Sequence, residues 1–216
     1  MHLKVSDPAR RTGRVASGLN AMTTYLSSPN AAVKRMPGGS DFWVFIAAES
    51  LLFGFFFITY IFYRSGSIEL YNLSQQALNR GMGAFNTAVL IVSSWSVVQA
   101  LEAVRRDRLR VAPRYLSFSI VLALVFLTVK ICEYHDKFHH GINLTTNDFF
   151  MFYFVLTMIH MVHVIVGTVV LIVLRQGIVQ GKYHRDNMNS LEMGASYWHL
   201  VDLLWIFLFP LLYLLR

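Results

Sequence analysis

Five long apolar segments dominate this 216-residue chain and restrict the folds that are open to it. An α-helix rises 1.5 Å per residue, so about 20 apolar residues cross the hydrocarbon core of a bilayer, roughly 30 Å thick. Because a backbone in lipid must satisfy its own hydrogen bonds, only helices and closed barrels span membranes. The segments lack the alternating pattern of a barrel. They predict membrane-spanning helices at about residues 41–63, 84–104, 115–133, 148–174 and 194–215.

Composition supports the same fold class. Hydrophobic residues make up 55% of the chain and charged residues only 14%, whereas soluble domains usually have about 25% charged residues. We therefore predict an all-α membrane protein with a five-helix transmembrane domain over residues 41–216 and a cytoplasmic tail over residues 1–40. The net charge of +7 belongs to the loops of such a protein and does not indicate a nucleic-acid partner.

The loop charges predict the orientation of the chain in the membrane. The tail and the second and fourth connections contain 14 Lys and Arg residues, against 4 on the opposite side. Because positive residues stay on the cytoplasmic side, the N-terminus is predicted inside and the C-terminus outside. The connection 65–83 is interpreted as a simple surface loop. The single cysteine, Cys132, excludes a disulfide within the chain.

A charge inside a predicted span costs several kcal/mol and needs an explanation, and Glu49, Lys130 and Glu133 are three such residues. Glu49 is either a protonatable site beside a substrate path or a carboxyl that hydrogen-bonds another helix for assembly. The sequence does not distinguish between these two interpretations of Glu49. Lys130 and Glu133 have the i, i+3 spacing that places two side chains on one helix face, which predicts a structural ion pair.

Two further pairs repeat the i, i+3 spacing. His160 and His163 could bind a metal ion, but no HExxH pattern and no nearby cysteine accompanies them, so we interpret them as buried hydrogen-bonding histidines. His199 and Asp202 are predicted to form part of a helix-packing network. The polar faces of these helices are expected to meet as one buried polar seam. Several aromatic residues, Trp198 and Tyr213 among them, suit membrane interfaces.

Five short motifs follow one another along the spans. They are AAESLLFGFF around Glu49, FNTAVLIVSS at 85–94, EYHDKFHHGI at 133–142, HMVHVIVG at 160–167 and YWHLVDLLWIFLFPLLY at 197–213. In this order they resemble subunit III of haem–copper oxidases such as cytochrome c oxidase, over about residues 42–215. Glu49 takes the place of the buried glutamate of that family. Many members have seven helices, and the first two are absent here, as in shorter bacterial forms.

The resemblance implies a function without a catalytic centre. Such subunits hold no haem, copper or other metal. They pack against the haem-bearing catalytic subunit I in the bacterial inner membrane, where they support assembly, stability, proton uptake and gas access. They also bind phospholipids. Haem and copper would belong to the partner subunit.

Two alternatives stay open at this point. The segment KICEYHDKFHHG, which begins at Lys130, resembles the subunit III-like accessory protein of bacterial nitric oxide reductase, whose catalytic partner holds haem and non-haem iron. An autonomous proton or small-molecule transporter would also explain the buried charges. The chain shows neither the broken helices nor the inverted repeat that transporters often have.

Overall fold

In the computed structural model, which describes residues 38–185 and 187–215, the chain forms long helices joined by short connections. The helices are α1 (Gly39–Gly66), α2 (Ile68–Gln75), α3 (Arg80–Arg105), α4 (Ala112–His139), α5 (Asp148–Val179) and α6 (Asn189–Phe209), which continues as a π-helical turn (Pro210–Leu214). All of them except the short α2 are long and apolar enough to cross a membrane. The predicted class, an all-α membrane protein with five spans, is confirmed.

The helices extend beyond the predicted spans at most of their ends. Helix α4 reaches His139, whereas the predicted span stops at residue 133, and α5 reaches Val179 rather than residue 174. Hydropathy identifies only the part of a helix that lies in hydrocarbon. The helical backbone hydrogen bonds continue beyond it, as far as the cap or turn at each end. Two asparagines provide such caps. The side chains of Asn79 and Asn147 accept hydrogen bonds from the first turns of α3 and α5.

The predicted tail falls almost entirely outside the described residues, which begin at Gly38. Gly38 has a left-handed backbone (φ 89°) that favours glycine, and it precedes the first turn of α1. Its amide donates to Oδ1 of Asn189 at 2.8 Å. The start of α1 is therefore held against the start of α6.

The interpretation of residues 65–83 as a simple surface loop is wrong, because this connection contains α2. Tyr71 is fully buried and packs edge-on against Tyr60 and Phe149, with ring centroids 5.4 and 5.7 Å apart. Burial raises the pKa of Tyr71 to about 12. Ser74 accepts a hydrogen bond from the Asn147 side chain at 3.0 Å. Helix α2 thus covers one end of α5. Its eight residues form too short an apolar stripe for the sequence to predict a packed helix here.

Four of the spans form a ring in which α3 contacts α4, α4 contacts α5, α5 contacts α6 and α6 contacts α3. Helix α1 lies outside the ring, against α5 and α6, and most of its surface is exposed. Small side chains allow α3 and α4 to approach closely. At this contact Ser119 donates to the carbonyl of Ser93 at 2.9 Å and Ser96 donates to the carbonyl of Tyr115 at 2.9 Å.

Glycine serves the same purpose between α5 and α6. A Cβ atom at Gly167 would lie 2.8 Å from Cε3 of Trp198, whose indole is fully buried. On α6, a Cβ at Gly194 would lie 2.5 Å from Cδ1 of Leu174. The two helices therefore approach at a separation that only glycine permits at these positions.

We expect Gly167→Ala to destabilise the bundle by about 1–3 kcal/mol, because the buried Trp198 ring has no room to move aside. Gly54→Ala is the matched control, since it lies within α1 and a Cβ there meets nothing within 4 Å. That control should be neutral or slightly stabilising, as alanine is the better helix former. Thermal unfolding of the purified chain in mild detergent measures both. Equal midpoints for the two variants would contradict the close-packing argument.

Candidate functional site

Lys130 is completely buried at the junction of α4, α5 and the π-helical turn. Its Nζ donates to Oε2 of Glu133 at 2.9 Å, to the hydroxyl of Tyr153 at 3.2 Å and to the hydroxyl of Tyr213 at 3.1 Å. Tyr213 in turn donates to Oε1 of Glu133 at 2.7 Å. A lysine ammonium has three donors, and here each of them has an acceptor. The predicted i, i+3 pair is thus part of a larger cluster that joins three elements.

Aromatic rings surround the same ammonium group. Its Nζ lies 4.9 to 5.7 Å from the ring centroids of Tyr134, Tyr153, Trp205 and Tyr213. Ring faces at this distance attract a cation, most strongly where water is excluded. The π-helical turn presents Tyr213 to this cluster, and its wide geometry shows in the bond from the Leu215 amide to the Pro210 carbonyl. The cluster thus surrounds the buried ammonium with hydrogen-bond acceptors and aromatic rings.

Glu49 on α1 and His163 on α5 form the second polar group. Oε2 of Glu49 lies 3.2 Å from Nε2 of His163, and Nδ1 of His163 lies 2.8 Å from the carbonyl of Ile159. A carbonyl only accepts, so Nδ1 is the protonated nitrogen, and Nε2 faces the carboxyl. The contact then requires one proton between Nε2 and Glu49, placed on either partner. The side chains of Glu49 and His163 are 21% and 15% exposed, so this proton lies near the surface of the bundle.

His160, one helical turn away, has different surroundings. It is fully buried and lies between Phe126 and Trp205, with ring centroids 5.7 and 5.2 Å distant. Neither of its ring nitrogens has a hydrogen-bond partner among the described residues. Within residues 38–185 and 187–215, no three His, Cys, Asp or Glu side chains converge as a metal site would require. His160 and His163 therefore do not act together, since one faces an aromatic pocket and the other faces Glu49.

The third polar group joins α6 to α3. Nδ1 of His199 lies 2.6 Å from the hydroxyl of Ser94. The same hydroxyl lies beside the carboxyl of Asp202, which is only 4% exposed. Neither Asp202 oxygen has a hydrogen bond of normal geometry from a described residue. Ser94 thus stands between the two predicted residues.

The seven polar residues chosen from the sequence fall into separate groups, and the single continuous seam that we expected is not formed. Trp205 lies between two of these groups, since its ring is 5.3 Å from Nζ of Lys130 and 5.2 Å from the His160 ring. Helical spacing shows which residues share a face, but the rotation of each helix decides which faces meet. Three partners were missed for the same reason, namely Tyr153, Tyr213 and Ser94.

Two aromatic residues that were predicted to suit membrane interfaces do not expose their side chains to lipid or head groups. Trp198 and Tyr213 are fully buried in the bundle. Residue type alone predicts an interface position for them, because the polar tips of Trp and Tyr side chains suit the head-group region. The packing of α6 against α5 turns both of them inward instead.

These observations define a polytopic helical membrane protein with polar groups at its helix contacts. The chain belongs to the cytochrome c oxidase subunit III family, whose model matches residues 21–215. It is 31% identical over 173 residues to the cytochrome c oxidase subunit 3 of Thermostichus vulcanus, a match that covers 80% of this chain and 84% of that protein. It is 28% identical over 174 residues to the probable quinol oxidase subunit 3 of Staphylococcus saprophyticus, covering 81% and 87%. The family resemblance of the motifs is confirmed.

We expect Lys130→Met to lower the free energy of unfolding by about 3–5 kcal/mol, because Glu133 is left as a buried carboxylate without its cation. The double variant Lys130→Met/Glu133→Leu should recover a large part of this loss, since it removes both charges. A double-mutant cycle in detergent unfolding measures the coupling.

The matched control is the exposed i, i+4 pair of Arg106 and Glu102, whose side chains are 62% and 40% exposed. Arg106→Met should cost less than about 1 kcal/mol, because water screens this pair. If Lys130→Met were as stable as the parent chain, the buried cluster would not have the structural role assigned to it.

Proposed function

We propose that this chain is the cofactor-free subunit III of a haem–copper respiratory oxidase in a bacterial inner membrane. The family match over residues 21–215 is the observation that supports this most directly. In this proposal the haem and copper belong to the catalytic subunit I, and this chain supports the assembly, stability and proton uptake of that subunit during aerobic electron transport. The loop charges support an orientation with the N-terminus in the cytoplasm and the C-terminus outside.

The Glu49–His163 pair is the proposed proton-handling group. The Ile159 carbonyl holds Nδ1 of His163 in its protonated form, so the proton between Nε2 and Glu49 is the one that can be exchanged. Both side chains reach the surface of the bundle, where a partner subunit can accept or supply this proton. The Lys130 cluster suits this purpose less, because it is sealed from water and each of its donors is engaged.

Helix α1 supports the proposed access of lipid and gas. Leu51, Ile58 and Phe62 are 74%, 69% and 75% exposed and present an apolar surface along the helix that also contains Glu49. Phospholipid chains cover such a surface, and an apolar gas such as oxygen dissolves among them. The proposal therefore includes bound phospholipids beside α1.

The metal content of the complex purified through this chain tests the proposed function. We expect haem and copper to co-purify with it. The segment that begins at Lys130 favours nitric oxide reductase as the second candidate, for which haem and non-haem iron without copper would be found. Reconstituted alone in liposomes, the chain should carry no proton or solute flux. A robust flux that is lost on Glu49→Gln would replace both candidates by a transporter.

We expect Glu49→Gln to leave assembly intact but to accelerate the loss of activity over many turnovers. A glutamine amide can still donate to Nε2 of His163, so the contact between α1 and α5 is retained while the exchangeable proton is lost. Steady-state oxygen consumption and its decay measure the effect. Glu69→Gln, an exposed carboxyl on α2, is the matched control.

A purely structural role for Glu49 gives a different result. In that case Glu49→Gln would match the parent complex in turnover and decay, and only Glu49→Ala would loosen α1 from α5. That outcome would remove proton handling from the proposal and leave the helix contact.

A further inference from the structure

An apolar groove of about 290 Å³ opens between α3 and α6, and the carboxyl of Asp202 lies at its base. Asp202 stands at the middle of the span Asn189–Leu214, and Ser94 stands near the middle of α3. Apolar side chains form the rest of the lining, among them Leu90, Trp95, Val98 and Ile206. The groove therefore places one acid halfway along two membrane-spanning helices.

The Asp202 carboxyl lacks the partners that this position requires. It is 4% exposed, and neither oxygen has a hydrogen bond of normal geometry from a described residue. The Ser94 hydroxyl beside it lies 2.6 Å from Nδ1 of His199 and has a single proton, so it can donate to at most one of the two carboxyl oxygens. Lipid chains offer no donor, so a groove filled with lipid would leave at least one carboxyl oxygen without a donor in hydrocarbon, at a cost of several kcal/mol.

The rim of the groove resembles a protein contact more than a lipid-facing surface. Trp95 is 55% exposed although it lies well inside α3, away from both helix ends. Exposed tryptophan in membrane proteins gathers at the head groups, whereas at protein interfaces it is enriched among the residues that contribute most to binding. Ile91, Val98 and Ile206 extend the apolar rim, with exposures of 51%, 47% and 42%.

We propose that this α3–α6 groove receives a membrane-spanning helix of a partner subunit, which places one lysine or arginine against Asp202. The inference rests on the proposed function, since it requires a complex of several subunits. A basic side chain supplies several donors and the opposite charge, and so satisfies both carboxyl oxygens at once. The apolar rim then packs against the same helix.

Two other occupants fit less well. A second copy that presented the same face would bring two Asp202 carboxyls together, which supplies no cation and too few donors for four carboxyl oxygens. The amine of a lipid head group carries the right charge, but head groups stay at the membrane surface, and Asp202 lies midway along its span. Charge complementarity and depth therefore both favour a basic residue on a partner helix.

Photo-crosslinking in the intact purified complex tests the groove directly. Benzoylphenylalanine placed at Ile206, on the rim, should form an adduct with a membrane-spanning segment of another subunit, identified by mass spectrometry. That segment should contain Lys or Arg within two helical turns of the attachment point. Val162 on α5, which is 53% exposed, is the matched control and should not label that segment. Adducts to lipid alone, to a second copy of this chain, or to a segment without a basic residue would overturn the proposal.

Asp202→Asn provides a second measurement. The amide keeps the shape of the carboxyl but not its charge, so we expect retention of this chain in the complex in mild detergent to fall about tenfold or more. The unfolding midpoint of the isolated chain should be unchanged or higher, because no cation within the chain pairs with this acid among the described residues. A merely structural Asp202 would instead lower that midpoint.

The control is Glu192→Gln, which should leave retention unchanged. Glu192 lies in the first turn of α6 and pairs with Arg105 at 2.8 Å. Retention of Asp202→Asn equal to that of the parent chain would refute the docking site. The metal content of the purified complex distinguishes a failure of the docking site from a failure of the proposed function. A complex that contains haem and copper but lacks the Ile206 adduct disproves the groove alone.

Discussion

The burial of the Lys130 ammonium is the interaction on which the interior of this protein depends. A cation in a bilayer-spanning helix is tolerated only if its donors are satisfied and an opposite charge is near. Glu133 provides the charge, while Tyr153 and Tyr213 provide the remaining acceptors from α5 and the π-helical turn. Because these groups come from three elements, satisfying one lysine fixes the relative rotation of α4, α5 and the end of α6.

The three polar groups differ in how completely their hydrogen bonds are satisfied. Lys130 has a full set of partners and is sealed by aromatic rings. Glu49 and His163 share one proton near the bundle surface. Asp202 is buried but has no donor of normal geometry among the described residues. We propose that the fully satisfied group contributes to helix packing, whereas the groups that share a proton or lack a donor interact with a partner subunit.

Close packing distinguishes the helix ring from α1. Serine at the α3–α4 contact and glycine at the α5–α6 contact bring the ring helices together, so that backbone and short side chains make the contacts. Helix α1 has few such contacts and is connected to the ring partly through the Glu49–His163 pair. The proton-handling pair proposed here thus lies at the most weakly packed span, where a change in protonation affects the fewest other contacts.

The amino-acid sequence by itself determined the five spans, the pairing of Lys130 with Glu133 and the order of motifs that identifies the family. These features depend on hydropathy, on helical periodicity and on local residue order, which are properties of a single segment. Tertiary structure decided that His160 and His163 face different surroundings, that Tyr213 points inward to Lys130, and that Ser94 stands between His199 and Asp202. The physical reason is that the rotation and close approach of helices depend on all their contacts at once, so partners distant in the chain cannot be read from any one segment.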